Sequence, residues 1–228
     1  MLNNFFFIGL PYTVITLFLI GSIARYKKRG FQVSSLSSQV LENKKLFFGS
    51  NPFHYGLLFL FVGHLTAFLF PKSVIAWNSL PVRLIILEVT AFAFGITTLF
   101  GAVMLIIRRF GTKRIWIVTS KMDLVVYFLL FTQIITGLII AYYERWGSTW
   151  FATSLTPYLK SIFTFTPNIK PITEMPFVVK LHMISAFTII GVIPFTRLMH
   201  ILVFPFNYFF RRYQYVIWNW DKKKRRLE

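Results

Sequence analysis

The chain has no cysteine, which excludes disulfides, iron–sulfur ligation by this chain and covalent haem attachment through a C-x-x-C-H motif. Any iron–sulfur relay working with it belongs to another chain. Charge is also scarce. Asp, Glu, Lys and Arg make up 14% of the 228 residues, while 56% are apolar and 19% aromatic. A soluble globule could not cover itself with water-facing groups from that supply. Acidic residues are the rarest of all, 7 against 25 Lys and Arg. There is no internal repeat, low-complexity tract or soluble domain, and no histidine falls in a connecting segment.

What the chain has instead is long apolar runs. A helix needs about 20 residues to cross the hydrocarbon layer. Runs of that kind are read at residues 5–23, 53–70 and 124–143, and two less pure ones at 84–107, interrupted by Glu88, and 177–206, which holds Lys180 and Arg197. No Lys or Arg precedes the first run, its apolar stretch is too long for a cleaved leader and no small-residue cleavage site follows it, so it is expected to remain as an anchor. The long connection at 144–176 is punctuated by Pro157, Pro167, Pro171 and Pro176, with a short helix expected around Phe151 to Phe163. Pro71 and Pro81 bracket a short turn, and the Ser-rich segment before residue 50 reads as a loop or a short interfacial helix.

Basic residues orient the bundle. Arg25, Lys27, Lys28, Arg29, Lys44 and Lys45 follow the first span; Arg108, Arg109, Lys113, Arg114 and Lys121 join spans three and four; Arg211, Arg212, Lys222, Lys223, Lys224, Arg225 and Arg226 lie in the tail. The other side has only Lys72, Arg83, Arg145, Lys160, Lys170 and Lys180. Lys and Arg are retained on the cytoplasmic side. The amino terminus is therefore expected outside, with a basic cytoplasmic tail at 207–228 of a single transmembrane domain. The net charge of +18 would suit nucleic acid, but its cations flank the spans, where anionic headgroups account for them.

All four histidines lie in or at the edge of spans, His54 and His64 on the second, His182 and His200 on the fifth. One intramembrane histidine is readily explained as a bridge between helices; two on each of two helices ask for more. Ten residues separate the first pair by about 15 Å along the axis, and 18 residues, five whole turns, would put the second pair on one face about 27 Å apart. The second and fifth spans run in opposite directions, so His54 meets His200 near the cytoplasm and His64 meets His182 near the outer face. The difference of about 12 Å between these spacings has to be absorbed by helix crossing and tilt of the bridging groups. A haem taking one imidazole from each helix can do this. A small metal needs three or four donors at one depth, and here donors come in twos. Bis-histidine ligation leaves no open iron position and favours electron transfer.

Other residues read less sharply. Gly56 and Gly63 either clear room for porphyrin faces or serve ordinary helix packing. Arg197, one turn before His200, is too deep for snorkelling and is expected to pair with a haem propionate or a carboxylate. Arg108 and Arg109 answer to topology alone. Glu88 reads as an interfacial carboxylate in water rather than a buried proton carrier.

The chain resembles the gamma subunit, the cytochrome b, of membrane-bound respiratory nitrate reductase. The residues that carry the resemblance are Arg25-Tyr26, Ser37-Ser38 with Leu41, Ser50, Phe53-His54-Tyr55-Gly56, Gly63-His64, Lys180-Leu181-His182, Pro194 through His200, Pro205, and Tyr208 before Arg211-Arg212-Tyr213-Gln214. The resemblance implies an all-α integral membrane bundle of five transmembrane helices. It implies two b-type haems, the inner held by His54 and His200 and the outer by His64 and His182. It also implies quinol oxidation near Gly63 and His64 with protons released outside. Electrons would then pass to an iron–sulfur (beta) subunit and a molybdenum (alpha) catalytic subunit in the cell's inner membrane. Family members carry a lysine near the start of the third span that helps bind quinol; here Pro81-Val82-Arg83-Leu84 stands there, and Arg83 or Lys72 is left to replace it. Two alternatives stay open: a cytochrome b of a related sulfur-metabolising complex, and a haem-free anchor or transporter whose histidines bind protons or bridge helices.

Overall fold

The computed structural model describes residues 2–29 and 44–202; the Ser-rich segment, Pro205 and the basic tail lie outside them. Five helices among the described residues are long and apolar enough to cross a membrane. The first, α1, runs as Leu2–Asn4, a π-helical turn Phe5–Gly9 and Leu10–Arg29. The others are α2 (Lys44–Leu69), α3 (Pro81–Gly111), α4 (Lys121–Tyr143) and α5 (Phe177–Val192). No strand occurs among the described residues. The fold is all-helical, as a bilayer demands of a chain whose backbone polar groups must be satisfied within each segment.

Sequence sets the helix ends. Pro81 stands in the first turn of α3, where its missing N–H is not needed, and Arg108 and Arg109 occupy the last turn, where cations suit the helix dipole. Ser120 caps α4: its hydroxyl accepts from the Asp123 amide at 3.1 Å, and Asp123 Oδ2 accepts from the Ser120 amide at 2.9 Å. The stretch between α2 and α3, expected as a turn, is a helix over Pro71–Asn78. The connection between α4 and α5 forms a helical arm from Gly147 to Phe163, with a π-helical turn at Phe151–Leu155.

The fifth helix departs from expectation. It was read as continuous to residue 206, but α5 ends at Val192, because Pro194 has no N–H to continue the ladder. A short 3₁₀ turn Ile193–Phe195 follows, Thr196 is extended at φ −124° and ψ −179°, and a second 3₁₀ turn Arg197–Leu202 carries His200. His182 and His200 therefore do not share one helical face.

The helices pack in the order α2, α3, α4, α5, α1. The tightest crossing is α2 on α3, where glycines let two backbones meet. A Cβ on Gly101 would stand 2.7 Å from the Gly49 carbonyl oxygen, and one on Gly56 would stand 2.8 Å from that of Phe94. Gly56 is thus a packing residue. The two histidine-bearing helices, α2 and α5, share no extensive contact among the described residues. At the end of the bundle away from Arg108 and Arg109 the arm is anchored to α1: Tyr158, fully buried, donates to the Phe7 carbonyl at 2.9 Å, and Tyr12 donates to that of Ile162 at 3.1 Å. Burial, with Tyr12 nearby, raises the Tyr158 phenol above the ordinary tyrosine range, so it stays a donor.

Candidate functional site

Two of the four histidines meet ring to ring, and the other two lie toward the opposite end of the bundle. At the basic end of the bundle the rings of His54 and His200 lie 6.4 Å apart between centroids, their planes at 62°. His54 Nδ1 sits 2.7 Å from the Ser50 carbonyl oxygen and 3.2 Å from its hydroxyl. His200 Nδ1 sits 2.7 Å from the Arg197 carbonyl. A carbonyl oxygen only accepts, so Nδ1 carries the proton in both rings and Nε2 carries the lone pair. Two imidazoles bound by Nε2 on opposite sides of one metal, each at about 2 Å, have centroids about 6 Å apart. The His54–His200 spacing fits that arrangement.

At the other end, His64 Nδ1 donates to the Leu60 carbonyl at 2.8 Å, which again leaves Nε2 with the lone pair. Its ring meets Phe151 of the outer arm edge-on at 5.4 Å. His182, on α5, is the other histidine toward this end. Around His182 the polar groups come from α4. The Thr136 hydroxyl donates to the Thr132 carbonyl at 2.6 Å, so its oxygen accepts from His182 Nδ1 at 2.9 Å. Ser185 donates to the Gln133 side-chain oxygen, which turns the amide nitrogen toward His182 Nε2 at 2.8 Å. That nitrogen has the same protonation as the other three, and a metal would take it in exchange for the Gln133 amide. Gly137 allows the approach, since a Cβ there would stand 3.1 Å from His182 Cε1.

All four rings thus present one tautomer, held by an oxygen behind Nδ1, the arrangement that orients imidazole as a metal ligand. No three His, Asp or Glu side chains gather in one place among the described residues. The donor set fits a group bound between two imidazoles, as haem is, rather than an ion in a closed cage.

Gly63 differs from Gly56. A Cβ added to it would meet nothing within 4 Å, so the helix beside His64 opens onto free space. Arg197 meets a carboxylate, as expected: its Nε lies 3.0 Å from Asp123 Oδ1, and a terminal nitrogen donates to the Val118 carbonyl at 2.9 Å. Asp123 is buried and also accepts from Arg109 at 3.5 Å, while Arg109 holds Tyr127 and Thr119 at 3.0 Å each. Arg108 and Arg109 are both buried, so they are more than topological charges. Arg83 is exposed with its guanidinium 5.1 Å over the Trp77 ring, and no hydrogen bond or ring contact joins it to Gly63 or His64. Lys72 is also exposed. Glu88 is not free in water: it accepts from the Ser148 amide at 2.9 Å and hydroxyl at 2.6 Å, tying α3 to the outer arm.

Asp123, Gln133, Thr136 and Ser185 are the residues that sequence reasoning missed. For Gln133 a signal was present, since a carboxamide inside an otherwise apolar span is expensive and calls for a partner.

A family model described as nitrate reductase gamma subunit matches residues 3–219. Among curated proteins, the respiratory nitrate reductase 2 gamma chain of Escherichia coli (strain K12) is 34% identical over 94% of this chain and 96% of its own length. The respiratory nitrate reductase 1 gamma chain of that strain is 33% identical, covering 94% and 97%. The nitrate reductase gamma chain of Bacillus subtilis (strain 168) is 32% identical, covering 90% and 93%. Nearly end-to-end similarity of this kind, on a five-helix membrane bundle with paired histidines, means that the chain belongs to the nitrate reductase gamma subunit family.

Proposed function

We propose that this chain is the membrane cytochrome b of a respiratory nitrate reductase, binding two b-type haems and taking electrons from quinol. His54 and His200 hold the inner haem iron, and His64 and His182 the outer one. The observation that carries the reading is the 6.4 Å between the His54 and His200 rings, with Nδ1 of each ring tied to a backbone carbonyl and Nε2 left to bind. Haem bound in this way supplies reversible one-electron transfer with no open iron position.

The remaining work belongs to side chains. The basic end of the bundle, with Arg108, Arg109, Lys113 and Arg114, lies in the cytoplasm by the retention of cations there, which puts the amino terminus outside. Quinol is oxidised near the outer face beside Gly63 and His64, where α2 opens onto free space. Arg83, exposed at the start of α3, and Lys72, also exposed, are the cations available to quinol. Protons leave outward. Electrons leave from the inner pair to an iron–sulfur subunit, and from there to a molybdenum subunit that reduces nitrate, in the cell's inner membrane.

The test reduces the membrane-extracted complex with a quinol and then adds nitrate. Haem absorbance that rises with quinol and is discharged by nitrate supports the proposal. Haem that quinol reduces but nitrate leaves reduced overturns the nitrate assignment.

A further inference from the structure

α4 has no histidine, yet it holds both of the histidines presented by α5 and the turn beyond it. At its start, the Asp123 carboxylate grips Arg197 at 3.0 Å, and the Arg197 carbonyl accepts from His200 Nδ1 at 2.7 Å. Further along, Thr136 Oγ1 lies 2.9 Å from His182 Nδ1, and the Gln133 amide 2.8 Å from its Nε2. Asp123 and Thr136 are thirteen residues apart, about 20 Å along the helix, so one helix reaches the inner histidine near its start and the outer one farther along. The holding points differ chemically. One is an ion pair acting through a backbone carbonyl, and the other is a direct bond to the ring.

We propose that α4 is the positioning helix of the cofactor site, with Asp123 setting the inner histidine through Arg197, and Thr136 setting the outer one. The inference rests on the two-haem reading and adds that each haem is tuned separately from this one helix. A hydrogen-bond acceptor behind Nδ1 makes an imidazole a stronger electron donor. Without the Thr136 oxygen, the outer haem is harder to keep oxidised and its potential rises. Removal of the Asp123 charge leaves Arg109 and Arg197 without their shared carboxylate beside the inner pair, which raises the inner potential and loosens His200. Neither residue touches a metal, so both are positioning residues.

The experiment is a redox titration of the complex purified from membranes, followed optically and by the ferric haem resonances, on wild type, Asp123→Asn, Asp123→Glu, Thr136→Val and Thr136→Ser. His54→Ala and His64→Ala complexes, each left with one haem, assign the signals. Asp123→Asn is expected to move or empty the inner haem alone. Thr136→Val is expected to move the outer haem alone, by roughly tenfold in its reduced-to-oxidised ratio, about 59 mV for one electron. Thr136→Ser, which keeps the oxygen, returns to the wild-type value. The haem that does not move reports that the bundle has assembled. Equal displacement of both haems, displacement of neither, or loss of both from Asp123→Asn and Asp123→Glu alike overturns the positioning role. A wild-type complex without haem would instead overturn the function on which it rests.

Discussion

Arg25 on α1 donates to the Pro194 carbonyl at 2.7 Å, and through the same nitrogen to that of Thr196 at 2.9 Å. These are carbonyls that the broken fifth helix can no longer use, and the Arg25 guanidinium satisfies them. α1 fits closely there, since a Cβ on Gly21 would stand 2.9 Å from the Pro194 ring. The break, the arginine and the position of His200 form one device. Because Thr196 is extended, the 3₁₀ turn with His200 is held from outside itself, by Arg25 before it and Asp123 beside it.

Replacement of Arg25 by Ala should cost about 1.5–3 kcal/mol, the range for hydrogen bonds to a charged group. The loss should fall on one end of the molecule. Haem measured per polypeptide is expected to drop toward half, with the haem held by His64 and His182 retained. Equal loss of both would show that the clamp serves the whole fold.

Gly56 and Gly63 lie on one helix and should respond in opposite ways. Gly56→Leu forces a side chain into the Phe94 and Thr98 backbone and should destabilise the bundle by 1–3 kcal/mol or more, as overpacking does. Gly63→Leu meets open space and should leave stability within about 0.5 kcal/mol, while slowing haem reduction by quinol. Thermal unfolding in detergent, read beside quinol-driven reduction, checks both.

Glu88 holds the start of the outer arm through the amide and hydroxyl of Ser148, and Asn78 reaches the same hydroxyl at 2.9 Å. In Glu88→Leu the arm loses its acceptor, and cleavage around Arg145 by trypsin should speed up several-fold. Cleavage should need protease on the outer face, so the same digestion on sealed vesicles of known sidedness checks the orientation read from the basic residues.

Much of this was legible from the sequence because lipid leaves few choices. Uncharged runs of about 20 residues must be helices, and the spans at 84–107 and 124–143 lie within the helices Pro81–Gly111 and Lys121–Tyr143. Histidines are costly in such runs, so counting them pointed to His54 and His200, whose rings meet. The break in the fifth span was missed although Pro194 stands in it, because apolar composition continues through the break and periodicity alone does not register it. Asp123 and Gln133 were missed for another reason. Each is explained only by a residue far along the chain, Arg197 and His182, and no local pattern brings those together. Gly56 and Gly63 looked alike in sequence, and only the neighbour across α2 separates them.

Haem counted per polypeptide in the purified complex, by reduced-minus-oxidised spectrum, tests the central claim most directly when wild type is read beside four single His→Ala variants. Two b-type haems should fall to one in each variant, with His54→Ala and His200→Ala leaving the same spectrum, and His64→Ala and His182→Ala leaving the other. Two haems surviving any one of these substitutions, or a wild type with none, would contradict the account.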